Sequence, residues 1–401
     1  MADRQPPDSR PGPPVDPGDA VATLLAQGVG TVYPAAGLLC RLGRDTLRQD
    51  AVGEASLGTC FDLASLTKAL CTSLLCLRAL SQGRLRLDEM PLPGVSVAAL
   101  LRHESGLPAW LPLFAPDSSA AEAAAAPLPT PSQALRQAAL ARARSAPRGP
   151  AGQRAVYSDL GFIVLAGLLE DRLGERLDVA FSRLADRLSV EIAFRPLDQP
   201  ESAQPIARAR CAPTRRESPL REPLHGEVHD DNARAMLGVS GHAGLFGTLA
   251  AVGDLAAALL DCYHHLDTPA ARALGIDPAV LRAAWALPAA VVDPASIVGS
   301  APGSTWGLGW DHPSPPSASP SAVSSAGSLW PRSGVGHLGF TGCSLWIDPG
   351  AQRKQALVAV FLSNRVCVAT PAEAAATQAG IKRLRPALHD AIYAQARGAR
   401  R

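Results

Sequence analysis

FDLASLTKALCTSLLCLRAL, residues 61–80, is the stretch on which the reading of this chain turns. The chain holds 38 basic residues, yet only three are lysines: Lys68, Lys354 and Lys382. One of the three stands three residues after Ser65. It sits in a run where Leu66, Leu70, Leu74, Leu77 and Leu80 recur at helical spacing and Gly83 supplies a stop. Positions i and i+3 of a helix face the same way, so the pattern puts Ser65 and Lys68 together at a helix start. There the unpaired N–H groups and the helix dipole favour negative charge. That field, with burial among leucines, disfavours a protonated Lys68. Arginine cannot give up its proton, whereas a lysine can become a neutral amine and take the proton of a serine. Proton chemistry, rather than charge, then explains the residue type. Serine is also a good N-cap and a solitary helical lysine is usually solvated, so S-x-x-K needs support from other segments.

Composition narrows the field. With 401 residues, 47% of them apolar, the chain can bury a core and suits one large domain or two lobes. A net charge of +2 with interspersed signs offers no basic stripe for nucleic acid and no polybasic segment for a membrane surface. The opening residues, MADRQPPDSRPGPPVDPGDA, lack the apolar run of a signal peptide. No segment supplies the roughly 18 uncharged apolar residues of a membrane span. Eight scattered cysteines with no CxxC pair are expected to be reduced, buried thiols of a cytoplasmic protein.

Along the chain, residues 1–18 are expected to be disordered. Residues 31–40 and 45–53 form a hairpin across Leu42-Gly43-Arg44, and residues 65–82 a helix. Further helices are expected over 96–103, 133–145, 159–173 (stopped by Gly174), 176–190, 248–266 and 371–397, with long loops at 112–132 and 312–333. Residues 195–235 read as irregular, and 343–348 and 356–363 as strands. Strands at both ends with helices between predict an α+β fold. In it an antiparallel sheet of N- and C-terminal strands carries an inserted, mainly helical lobe. The expected domain is 19–397, its α/β lobe about 19–85 and 300–397, its helical lobe about 86–299.

Two more stretches join the first: AVYSDLGFIVLAGLLE (155–170) and VGHLGFTGCSLWIDP (335–349). In order and approximate separation the three resemble the motifs of the serine β-lactamase and penicillin-binding-protein superfamily, in the wording of its class C, esterase-type branch. LLRHESGLP (100–108), GEVHDDNARAMLGVSGHAGLF (226–246), WGLGW (306–310) and FLSNRV (361–366) add to the likeness, which spans roughly residues 30–385. The resemblance implies Ser65 as nucleophile and acyl carrier, Lys68 as its activating partner and Tyr157 as a second proton carrier. A tyrosine near its ordinary pKa of about 10 is a poor base and needs positive neighbours, Lys68 and His337. His337 and Gly339 would lie on the strand edging the pocket, and the N–H groups of Ser65 and Phe340 would form the oxyanion hole. Asp159 and His242 would contact substrate.

Two positions depart from the family pattern. Asp159 stands where the second motif more often has Asn, and a carboxylate can accept but not donate; it can instead pair with Lys68. His337 stands where relatives often have Lys, which makes carboxylate binding weaker and pH-dependent. Both point away from efficient penicillin hydrolysis. The expected activity is hydrolysis of a small ester or amide, as a carboxylesterase or D-amino-acid peptidase, with no cofactor. The alternatives are a non-catalytic penicillin-binding-like protein and a metal-dependent hydrolase using His225, His229 and His242. His229, His242 and His103 otherwise read as hydrogen-bonded structural histidines.

Overall fold

The structure is a computed structural model. It describes residues 19–115, 118–119, 122–123, 130–216, 223–288, 301, 303–315 and 324–398. The tail 1–18 lies outside the described residues, as do parts of the two long loops, including 316–323.

The fold is α+β. Strands β1 (Ala35–Leu42) and β2 (Asp45–Gly53) make the expected hairpin, turned by Gly43 at φ +61°. Three short strands follow, β3 (Phe61–Asp62), β4 (Ile192–Phe194) and β7 (Leu245–Gly247), joined in the order β3-β7-β4. A two-stranded piece pairs β5 (Pro213–Arg215) with β6 (Leu224–His225) inside the region read as irregular. Near the C-terminus come β8 (Val335–Leu338), β9 (Ser344–Asp348) and β10 (Leu357–Ser363). The large sheet is antiparallel, in the order β2-β1-β10-β9-β8, so the C-terminal strand β10 lies beside the N-terminal strand β1, with Ala36 opposite Ser363. The strand carrying His337 is therefore the edge strand of the sheet, buried and bridged on its outer side by Asp311.

Both faces of the sheet are covered. Ala35 and Leu39 of β1 join one core, whereas Ala36, Leu38 and Cys40 join the other, the period-2 alternation of a strand buried on both sides. Helix Leu249–Tyr263 lies on the first face at unusually close range: a Cβ at Gly253 would stand 2.3 Å from Leu39. Helix Pro371–Gly398 and helix Ala20–Gly28 cover the second face. The latter, capped by Asp19, follows no expected element, and neither do helices Pro269–Leu274 and Pro278–Ala284.

Helices Gln133–Ser145 and Asp159–Leu173 match the expected bounds, the latter ending on Gly174 in the left-handed region. The helix expected over 65–82 differs. Ala64 takes φ +46°, Lys68–Ser73 form a π-helical turn, and the α-helix proper is Leu74–Ser81. A π-turn bonds i to i+5 and is frequent at functional sites; leucine spacing does not reveal it. All eight cysteines are free and buried. Among the described residues no helix is long and apolar enough to cross a membrane.

Candidate active site

Strand β3 delivers the chain to a strained corner. A left-handed φ of +46° at Ala64, a residue with a Cβ, turns the backbone sharply just before Ser65. Asp62 holds this corner. Its Oδ1 accepts from Ala64 N at 2.8 Å, its Oδ2 from His229 N at 2.8 Å, and its carbonyl from Thr341 Oγ1 at 2.8 Å. One buried acid thereby ties the corner to the VHDD segment and to the turn after β8.

Lys68 is fully buried and has three partners. Nζ donates to Ser65 Oγ at 2.9 Å and to the carbonyl of His242 at 3.2 Å, and stands 2.7 Å from Asp159 Oδ1. Tyr157 comes from the opposite wall. Its ring centroid is 4.8 Å from Nζ, and its hydroxyl is within hydrogen-bonding reach of Lys68 and Ser65. The HESGLP segment supports that wall: Ser158, N-cap of helix Asp159–Leu173, donates through its N–H to His103 Nδ1 (3.0 Å) and through its hydroxyl to Pro108 O (2.7 Å). His103 also packs its ring against Tyr157 at 4.6 Å. Its part is structural.

These groups open into a cavity of about 690 Å³ whose lining includes Ser65, Tyr157, Asp159, His337, Gly339 and Phe340. Neither Ser65 N–H nor Phe340 N–H donates a hydrogen bond among the described residues. A Cβ at Gly339 would stand 2.8 Å from the Leu63 carbonyl, so only glycine lets the edge strand come this close to the serine corner.

The charge states correct three expectations. Burial alone would lower the pKa of Lys68, but the Asp159 carboxylate, helped by Tyr157, outweighs it and the net shift is upward. Lys68 is thus a protonated member of an ion pair rather than a resting neutral amine. Burial raises Tyr157, and the pull of Lys68 does not cancel it, so the phenol keeps its proton. Burial, then the charge of Lys68, pushes His337 down to about 3, so it is a neutral imidazole and supplies no positive charge for Tyr157 or for a carboxylate. Its Nδ1 lies 2.8 Å from the Leu338 carbonyl and must carry the proton; Nε2 is a buried acceptor without a partner among the described residues.

His242 does not line the cavity. It is buried with Nδ1 against Ser240 Oγ and Nε2 against Asp230 Oδ1, both at 2.8 Å, and its expected contact with substrate gives way to support of Lys68 through its carbonyl. The proposed metal set does not converge either. His225 Nε2 meets the Cys211 carbonyl at 2.7 Å and His229 Nδ1 the Thr214 carbonyl at 3.1 Å. Among the described residues the group with ligand-like spacing is Asp159, Asp230 and His242. The ammonium of Lys68, 2.7 Å from Asp159, already provides a cation there.

Buried neutral histidines give a stability prediction. His229 (about 4), His337 (about 3) and His389 (about 3) lie below the ordinary value of 6.5 because of burial, and His103 and His312 are lowered as well. Below pH 6.5 the unfolded chain binds protons that these five refuse, so their stabilisation is complete above that pH and is lost as pH falls towards the folded values. Asp62 (about 6) and Asp311 (about 7), raised by burial, act in the opposite sense between pH 4 and 7 but are fewer. The midpoint of thermal unfolding, followed by circular dichroism, is expected to drop by about 5 °C or more between pH 7 and pH 5.

Sequence reasoning passed over Asp62, Asp311 and Thr341. Asp62 is one residue of FDLAS, and only the fold shows that its carboxyl meets the backbone of His229 and its carbonyl the hydroxyl of Thr341, both distant in sequence.

A family model described as Beta-lactamase matches residues 17–381. The chain is 29% identical over 231 residues to the N-acetylmuramyl-L-alanine amidase of Bacillus subtilis (strain 168), covering 51% of this chain and spanning about half (50%) of that relative. It is 27% identical over 338 residues to an Escherichia coli (strain K12) protein named "Putative D-alanyl-D-alanine carboxypeptidase", covering 78% of this chain and 70% of the other. Among solved structures it is similar to EstCE1, a hydrolase with promiscuous acyltransferase activity: TM-score 0.62, 19% identity, 93% of this chain and 97% of that one. A penicillin-binding protein homolog from Caulobacter crescentus overlays with TM-score 0.60 at 19% identity, over 94% of this chain and 99% of that one. Identities this low speak for the fold alone.

Proposed function

The chain belongs to the beta-lactamase family, and from that premise we propose that it is a serine hydrolase of the class C-related type that carries its acyl intermediate on Ser65 and cleaves a small ester or amide. The observation that carries the reading is the contact of Ser65 Oγ with a fully buried lysine at 2.9 Å, on the floor of a 690 Å³ cavity.

Lys68 and Asp159 share one proton. A substrate that fills the cavity excludes water and weakens the charge-separated form of that pair, moving the proton to Asp159 and freeing the amine. The amine takes the Ser65 proton as Oγ attacks the carbonyl carbon. The oxyanion accepts from the N–H groups of Ser65 and Phe340, each worth about 3 kcal/mol in sites of this kind. Tyr157, which holds its proton, gives it to the leaving alkoxide or amine and regains one from Lys68. Water then attacks the acyl-enzyme, its proton relayed through Tyr157 to the neutral Lys68, which passes it to Ser65 Oγ as the acid departs; Asp159 returns its proton to Lys68 when the cavity empties. Asp159 lacks the amide donor of the usual second motif and its one proton is shared with Lys68, so the side-chain carbonyl of a β-lactam finds no free donor there, and turnover of short esters should exceed that of nitrocefin.

A fluorophosphonate probe tests the reading. Mass spectrometry of the digested protein is expected to find the phosphonyl adduct on Ser65, and esterase activity should be unchanged by a chelator such as EDTA. No adduct, or activity abolished by chelation, refutes the serine mechanism.

A further inference from the structure

The cavity has a second chemical character beside Ser65. Asp311 lines it, held by an isolated bridge to Gly336 beside His337. Its Oδ1 accepts from Thr305 Oγ1 at 2.6 Å and from His312 N at 3.0 Å; Oδ2 has no partner among the described residues. Burial pushes this carboxyl up to about 7, against those two bonds and the charge of Arg332, whose own guanidinium donates to the Pro313 carbonyl. His337, 1% exposed, lines the same cavity and has an Nε2 acceptor without a partner among the described residues. Trp306 and Tyr157 add aromatic faces, their centroids 5.5 Å apart, with Trp306 also 5.5 Å from the His337 ring. A carboxylate, an imidazole lone pair and two π-faces all attract donors and positive charge.

Of the cations at this cavity, Arg365 keeps a buried Nη2 without a partner among the described residues, on the Phe340 side; the other two are engaged. Lys68 is spent on Asp159. Arg365, 2% exposed, lies 4.4 Å from the Phe340 ring, and Arg385 donates to the carbonyls of Cys343 (3.1 Å) and Gly339 (3.4 Å). We propose that Asp311, His337 and the faces of Trp306 and Tyr157 form a subsite for a primary ammonium group, so that the substrate acylating Ser65 is an amine-bearing ester or amide. The substrate class rests on the hydrolase reading above; the subsite itself does not.

The test has a binding arm and a turnover arm. Wild-type protein is titrated by calorimetry with n-butylammonium, butyrate and 1-butanol, and the titrations are repeated on Asp311→Asn, whose amide oxygen can still accept from Thr305 and His312. In parallel, kcat/KM is measured for methyl esters of α-, β- and γ-amino acids, each beside its deaminated counterpart. Butylammonium is expected to bind about tenfold or more tighter than butyrate or butanol, and about fivefold or more weaker in Asp311→Asn. A net charge of +2 would by itself favour butyrate, so the preference reports the site. At one chain length the amino ester should lead its counterpart by about tenfold, a lead that shrinks towards unity in the variant. Equal or tighter binding of butyrate, or unchanged ammonium affinity in folded Asp311→Asn, overturns the subsite; if the variant does not fold, the wild-type ranking decides. Ammonium binding without ester turnover keeps the subsite and sinks the hydrolase reading, and turnover with no amine preference and no ammonium binding does the reverse.

Discussion

Ser65→Ala is expected to lower kcat/KM for short esters by about 10⁴-fold or more and to erase phosphonate labelling, with thermal stability changed little. The hydroxyl is the atom that would bond to the acyl carbon, on the floor of the cavity with Lys68 behind it. What remains would be the modest advantage of binding and the oxyanion donors. The Ser65 side chain sits at the corner rather than in either core cluster, so its removal leaves no large void. Progress curves on purified protein, with a melt beside them, are the check. A variant that keeps a tenth of wild-type activity while folded would place the chemistry elsewhere.

Lys68→Arg separates proton transfer from charge. An arginine keeps the positive partner of Asp159 and still reaches towards Ser65, but it cannot become a neutral base. Activity is expected to fall by about 10³-fold in kcat with KM little changed. Lys68→Met would in addition leave the half-buried Asp159 without its cation and destabilise the fold by roughly 1–3 kcal/mol. The two variants therefore diverge in the melt and agree in the rate. If arginine retained activity within about tenfold of wild type, the lysine would be a charge and not a base, and the scheme through Tyr157 would have to be rewritten.

What could be read before the structure differs by element for physical reasons. Helix Asp159–Leu173 shows in sequence because a serine cap, an apolar run and a left-handed glycine stop all agree. The β1–β2 hairpin shows through its glycine turn. Helices Pro269–Leu274 and Pro278–Ala284 are too short for a periodic signal and rest on caps alone. Within the site, the closeness of Ser65 and Lys68 follows from local spacing. The protonation of Lys68, the neutrality of His337 and the withdrawal of His242 depend on partners brought from distant segments, which no local pattern contains.

The pairing of β1 with β10 bears on biosynthesis. As the polypeptide leaves the ribosome, the β1–β2 hairpin must wait, one flank unsatisfied, until Leu357–Ser363 emerge to fill the slot between it and β9. A message truncated before that point would yield a product with an open apolar flank, prone to recruit its own kind edge to edge. Residues near 360 thus decide whether those near 40 ever become native.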